Sequence, residues 1–150
     1  MQTPPCSEAA DATAAAATAE ASSDACATFD VFARGCPSRE TLEHVTGRWG
    51  SLTVGALREG PWRFNELRRR VDGVSEKMLS QTLHALERDG IVHREAQPTN
   101  PPRVDYELTP FGVEIAHRLV ALITVLETAM PEVLDNRAAY DAARAMRPGR

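Results

Sequence analysis

The stretch SEKMLSQTLHALERDGIVHRE, Ser75 to Glu95, changes its periodicity partway along. Up to Arg88, Leu79, Leu83 and Leu86 recur at steps of three and four, the period of an amphipathic helix. Asp89-Gly90 interrupts, and Ile91 to Glu95 then reads as a strand. Ser75 stands where an N-cap belongs. Away from the leucines, Lys77, Ser80, Gln81, His84 and Arg88 share a polar face. One side of this helix is core, and its other side is sized for polar contacts.

Working outward, order is expected to begin near Cys36-Pro37-Ser38, with Ser38 as N-cap and Leu42 and Val45 on one helical face. Gly47 interrupts, and Trp49, Leu52, Ala56 and Leu57 mark a second helix that Gly60-Pro61 ends. Phe64, Leu67 and Val71 predict a short third helix, closed by Asp72-Gly73. Beyond the quoted stretch, Gln97 to Pro102 is a Pro-rich loop, and Val104, Tyr106 and Leu108 alternate as a second strand. Thr109-Pro110 starts a long helix, with Pro at its favoured first position. Ile115, Leu119, Leu122 and Leu126 line one side, and Phe111 to Met130 is expected to form the main dimer contact. A separate short helix is expected from Arg137 to Met146.

The order is three helices, a hairpin and a further helix. It predicts a mainly α fold with a small β-hairpin, a winged helix-turn-helix with an added dimerisation helix. In that fold the second helix of the pair enters the DNA major groove and the hairpin flanks it as a wing.

Charge is divided along the chain. Residues 1–30 hold Glu8, Asp11, Glu20, Asp24 and Asp30 with no basic residue, a charge of −5. The remainder holds all 17 basic residues against 16 acidic ones, about +1, and Lys77 is the only lysine. Residues 1–30 are Ala-rich and carry almost nothing to bury, so they are expected to be a disordered acidic tail. A winged-helix domain over 31–134 and a C-terminal helix and tail over 135–150 complete the expected organisation. No stretch approaches the roughly 20 apolar residues of a membrane span, and the N-terminus has neither the basic region nor the apolar core of a secretory signal. A cytoplasmic location is the expectation.

Three ordered blocks resemble the HxlR-type family of bacterial winged-helix transcriptional regulators. They are CPSRETLEHVTGRWG from Cys36, PWRFNELRRRVDGVSEKMLSQTLHALERDGIVHRE from Pro61, and PPRVDYELTPFG from Pro101, so the resemblance covers roughly Cys36 to Leu134. It implies a homodimer that binds a double-stranded DNA operator and represses a nearby gene. It also places the recognition helix on Ser75 to Arg88 and the wing on Ile91 to Leu108. In several members the Cys before the first helix senses electrophiles or oxidants, and Cys36 matches that position. The chain departs from the family pattern in its long Ala-rich tail and at Pro110-Phe111, where members more often carry charged residues.

The expected DNA-binding residues are Arg68, Ser75, Lys77, Ser80, Gln81, His84, Arg88 and Arg103. Lys77 and Arg88 suit phosphates, Gln81 suits adenine, and Ser80 and His84 suit base edges. In Arg68-Arg69-Arg70 one or two side chains suit phosphate contact and at least one points away. Arg103 suits phosphate or the minor groove, with an ion pair to Asp105 or Glu107 as the competing role. Ile115, Leu119, Leu122 and Leu126 are the expected dimerisation stripe.

Cys36 precedes a helix start with Arg34 and Arg39 nearby, which favours thiolate; the competing reading is a small buried apolar residue. A transient disulfide would join two Cys36 residues between subunits, or Cys36 and Cys26. No CxxC, Cys/His or HExxH spacing points to a metal, no cofactor motif is present, and no nucleophile–base pair suggests an enzyme. Two other readings stay open: a winged-helix regulator that answers to a small-molecule inducer, and a winged helix used for protein interaction.

Overall fold

The computed structural model describes residues 29–147 and 149. The acidic tail expected over 1–30 therefore falls almost wholly outside the described residues. The chain divides into two units, Met1–Thr46 and Gly47–Arg150.

In the first unit, the Phe32 amide donates to the Asp30 carboxylate (2.9 Å), and the Ala33 amide donates to the Asp30 carbonyl (3.0 Å). This turn leads into helix α1, Pro37–Thr46. The helix starts two residues earlier than an N-cap at Ser38 implies, with Pro37 at its first position, where the missing N–H costs nothing. Ser38 therefore lies inside the first turn and is not the cap.

The second unit is built in the order α2 (Arg48–Leu57), β1 (Trp62–Arg63), α3 (Phe64–Arg70), α4 (Glu76–Arg88), β2 (Val92–Gln97), β3 (Arg103–Leu108) and α5 (Pro110–Ala145). Its core gathers Val54, Leu57, Leu67, Val71, Leu79, Leu83, Leu86, Ile91, Val92, Ala116 and Leu119. Each fully buried Leu is worth about 1.5–3 kcal/mol, so the three leucines of α4 fix which side of that helix is left for solvent.

Helix α2 corrects the sequence reading. Its buried residues are Gly50, Thr53, Val54, Ala56 and Leu57, while Leu52 stays 44% exposed and Trp49 is half-buried. Ala56 and Leu57 of the expected stripe are buried, but Gly50, Thr53 and Val54 take the places expected of Trp49 and Leu52. A Cβ added at Gly55 would already sit 3.6 Å from Ile123 Cδ1 of α5.

Helix α3 opens with the Glu66 carboxylate accepting from the Arg63 amide (3.0 Å). Helix α4 opens on Ser75, whose Oγ accepts from the Met78 amide (3.1 Å). It closes in a Schellman motif. The Gly90 amide donates to the Glu87 carbonyl (3.0 Å) and the Ile91 amide to the Leu86 carbonyl (2.9 Å), with Gly90 at φ +72°. Leu86 and Ile91, the apolar pair of that motif, are both fully buried.

The hairpin belongs to a three-stranded antiparallel sheet of order β1-β3-β2. Trp62 pairs with Tyr106 and Arg63 with Asp105, while β2 pairs along all of β3 from Val92–Leu108 to Gln97–Arg103. Strand β1 went unread because two residues are too short to show any alternation.

Helix α5 is continuous for 36 residues and contains Pro131, so the separate helix expected from Arg137 is part of it. Proline removes one intrahelical hydrogen bond and strains the turn before it. Here it is flanked by strong helix formers, among them Leu126, Glu127, Ala129, Met130, Glu132 and Leu134. No residue of α5 after Leu119 is buried. Among the described residues no helix is long and apolar enough to cross a membrane.

The start of α5 is pinned to the end of α4. Thr109 caps the helix by accepting from the Gly112 amide (3.0 Å), and its hydroxyl donates to the Gly90 carbonyl (2.6 Å). The Thr109 amide donates to the Ile91 carbonyl (3.1 Å). Gly112 is required by proximity, since a Cβ there would overlap the Ile91 carbonyl. Backbone at that position cannot yield as a side-chain tip can. Gly112→Ala is therefore expected to lower stability by about 1–3 kcal/mol, read from urea unfolding; an unchanged midpoint would show that the contact is not tight.

Candidate nucleic-acid interface

The outer face of α4 follows from its inner one. Leu79, Leu83 and Leu86 are at most 2% exposed, which turns Lys77, Ser80, Gln81, His84 and Arg88 outward, and all five are exposed. Lys77, Ser80, Gln81 and His84 make no side-chain hydrogen bond or ion pair within the described residues. Met78, 40% exposed, adds an apolar group to that side that the sequence reading did not include. Thr82 returns its hydroxyl to the Met78 carbonyl (2.8 Å) and so offers no free donor. The Ser75 oxygen already accepts the capping bond, which leaves its O–H as the group available outward.

The arginines sort themselves by their partners. Arg68 Nη1 lies 2.8 Å from Glu76 Oε1, and Arg70 Nη2 lies 2.9 Å from Glu59 Oε1. The Glu59 carboxylate, by hydrogen bond and charge, pushes the Arg70 guanidinium above its ordinary value. Arg103 Nε lies 3.1 Å from Asp105 Oδ1, the competing role that the sequence left open. Arg69 has no such partner within the described residues.

Arg69 also lines two open grooves along α3. One, of about 710 Å³, runs between the start of α3 and the wing loop and is lined by Arg63, Asn65, Arg69 and residues 99–104. The other, of about 820 Å³, holds Asn65, Arg68, Arg69, Asp72 and Ser75. The sequence placed Arg68 at this surface and passed over Arg69. Only the ion pair to Glu76, eight residues on, separates the two, and no local pattern signals it.

The four residues of the expected dimerisation stripe divide. Leu119 is 8% exposed and serves the core of its own unit, while Ile115 is half-buried. Leu122 (53%) and Leu126 (52%) are open to solvent, and Val125, Leu134 and Tyr140 join them as exposed apolar residues along α5.

Cys36 stands just before α1 and is half-buried, with its Sγ 3.0 Å from Ser38 Oγ. The hydroxyl and backbone N–H of Ser38 hold the thiol below its ordinary value, helped by the Asp30 backbone and opposed by burial and the Asp30 charge. The expected cause was different. Arg34 and Arg39 play no part, and Ser38, freed from capping, does.

Comparison with known proteins places this geometry. A model of the HxlR-like helix-turn-helix family matches residues 44–133. The HTH-type transcriptional regulator YtfH of Escherichia coli (strain K12) is 54% identical over 113 residues, spanning 73% of this chain and 90% of the relative. Among solved structures, the transcriptional regulator ytfH from Salmonella typhimurium superposes with a TM-score of 0.70 at 50% identity, covering 74% of this chain and 99% of that one. The redox regulator HypR in its oxidized form superposes with a TM-score of 0.57 at 36% identity, covering 62% and 96%. The chain belongs to the HxlR-like helix-turn-helix family and is a winged-helix transcriptional regulator.

Proposed function

We propose that the chain is a homodimeric repressor that lays the outer face of α4 in the major groove of an operator, with the β2–β3 hairpin as the flanking wing. The observation that carries this reading is the set Lys77, Ser80, Gln81 and His84: exposed, unpartnered, and held on a helix whose other side is locked into the core. Gln81 matches the paired donor and acceptor of adenine, Ser80 and His84 reach base edges, and Lys77 and Arg88 reach phosphates. Arg69 joins them as a phosphate contact at the groove between α3 and the wing. Arg68 and Arg103 contribute more weakly, because Glu76 and Asp105 already share their charge.

The dimer is supported by the apolar face that α5 leaves open at Leu122, Val125, Leu126 and Leu134. A contiguous surface of this kind marks an association site in a soluble protein. A two-fold pairing along it would present two α4 helices to a pseudo-palindromic operator. Repression rather than activation rests on the family resemblance alone.

Replacement of both Gln81 and His84 by Ala should relax base preference, each lost base contact costing about 1–3 kcal/mol. The check is binding of the wild type and the double variant to DNA fragments selected by the wild type, with thermal unfolding to confirm the fold. Unchanged affinity and preference in a folded variant would remove α4 from the interface.

Control by oxidation or alkylation at Cys36 completes the proposal. Its support is the Ser38 contact that favours thiolate, together with the structural likeness to a redox regulator. A thiol held below its ordinary value is more fully thiolate at neutral pH, and thiolate is the nucleophile. Alkylation of Cys36, followed against pH by mass spectrometry, should therefore show its midpoint below that of an ordinary thiol, and Ser38→Ala should move it upward. Diamide should reduce operator affinity of the wild type and leave Cys36→Ser unaffected. If the wild type keeps its affinity after diamide treatment, the thiol is not the switch.

A further inference from the structure

The register of the wing brings together three side chains that the sequence keeps apart. His93 pairs across the ladder with Glu107, and Glu95 lies two residues along the same strand, so all three project from one face of the sheet. That face is the one opposite Val92, which is buried. The candidate ligand atoms of His93, Glu95 and Glu107 lie within 4.8 Å of one another. We propose that His93, Glu95 and Glu107 form a binding site for a divalent transition-metal ion on the solvent-facing side of the wing.

Two features of the surroundings favour a ligand here over a merely solvated surface. Asp105, on the same face, is neutralised by Arg103 at 3.1 Å, whereas Glu95 and Glu107 have no cationic partner within the described residues. Two adjacent carboxylates without a counter-charge repel each other, and an ion between them removes that repulsion. The donors are also mounted on paired strands, which hold them in register without a flexible loop.

The donor set selects the class of ion. One imidazole nitrogen with two carboxylate oxygens suits Zn2+ and its neighbours in the transition series, while Mg2+ and Ca2+ prefer all-oxygen sets. Metal–ligand distances near 2.0–2.2 Å need the three donors to close in somewhat from their present separation. His93 and Glu95 are exposed, so rotation of their side chains can supply the movement. Water would complete the coordination on the open side. Bound there, the ion would tie β2 to β3 and cancel the two negative charges that the wing carries on this face.

The site forms through strand pairing, which explains why no metal-binding spacing shows in the sequence. The test uses the full chain with Cys6, Cys26 and Cys36 replaced by Ser, which removes thiolates as competing ligands. Calorimetric titration with Zn2+ should show one ion per chain, and thermal unfolding should shift upward in its presence. His93→Ala and Glu107→Gln should each weaken binding by at least about tenfold and abolish the thermal shift, with metal-free unfolding unchanged. Absence of saturable binding in the Cys-free chain, or either variant binding Zn2+ as its parent does, overturns the site.

Discussion

The carbonyls of Gly90 and Ile91 hold this structure in its working arrangement. They follow the C-cap of α4, and the side chain and backbone of Thr109 donate to them. One turn therefore joins α4, the first wing strand and the start of the long helix. Gly90 provides the left-handed backbone that ends α4, and Gly112 provides the missing Cβ that lets α5 approach. Because the fit is backbone against backbone, α4 cannot shift relative to α5 without breaking hydrogen bonds. An operator-binding dimer needs that rigidity, since the separation of two α4 helices would be set by how each is fixed to its own α5.

Electrostatics then refine which surface is used. The Arg68-Arg69-Arg70 run looks uniformly basic in the sequence, yet two of the three are paired, to Glu76 and Glu59. Exposed ion pairs of this kind contribute little stability, but they decide which guanidinium is available to a phosphate. Beside α4 that is Arg69. With residues 31–150 carrying only about +1 in net charge, the positive charge a DNA-binding surface could present depends on this local sorting and not on composition.

Much of the fold was legible because its signals are local. The leucine spacing of α4, the Ser75 cap, the Asp89-Gly90 stop and the Thr109-Pro110 start are all written in neighbouring residues, and each appears in the structure at or within a residue of its expected place. What was missed depended on partners distant in sequence or on small side chains. The buried face of α2 uses Gly50 and Thr53, which carry no hydrophobic signature of size. Strand β1 exists only because β3 lies beside it. Helix α5 runs through Pro131, where a local rule expects a stop. The same division holds for the candidate site. The outward residues of α4 follow from periodicity, while the freedom of Arg69, the role of Leu119 in its own core, and the meeting of His93 with Glu107 follow from pairing alone.

The central claim is that two copies of α4, carried by a dimer, read one operator. Hydroxyl-radical footprinting on DNA fragments retained by the purified chain tests it most directly. The account predicts two protected patches on one face of the duplex, related by two-fold symmetry and centred about one helical turn, roughly 34–36 Å, or a multiple of it apart. Protection should fade steeply as salt is raised, as phosphate contacts require. A single protected patch, or none at low salt with the chain folded, would contradict it.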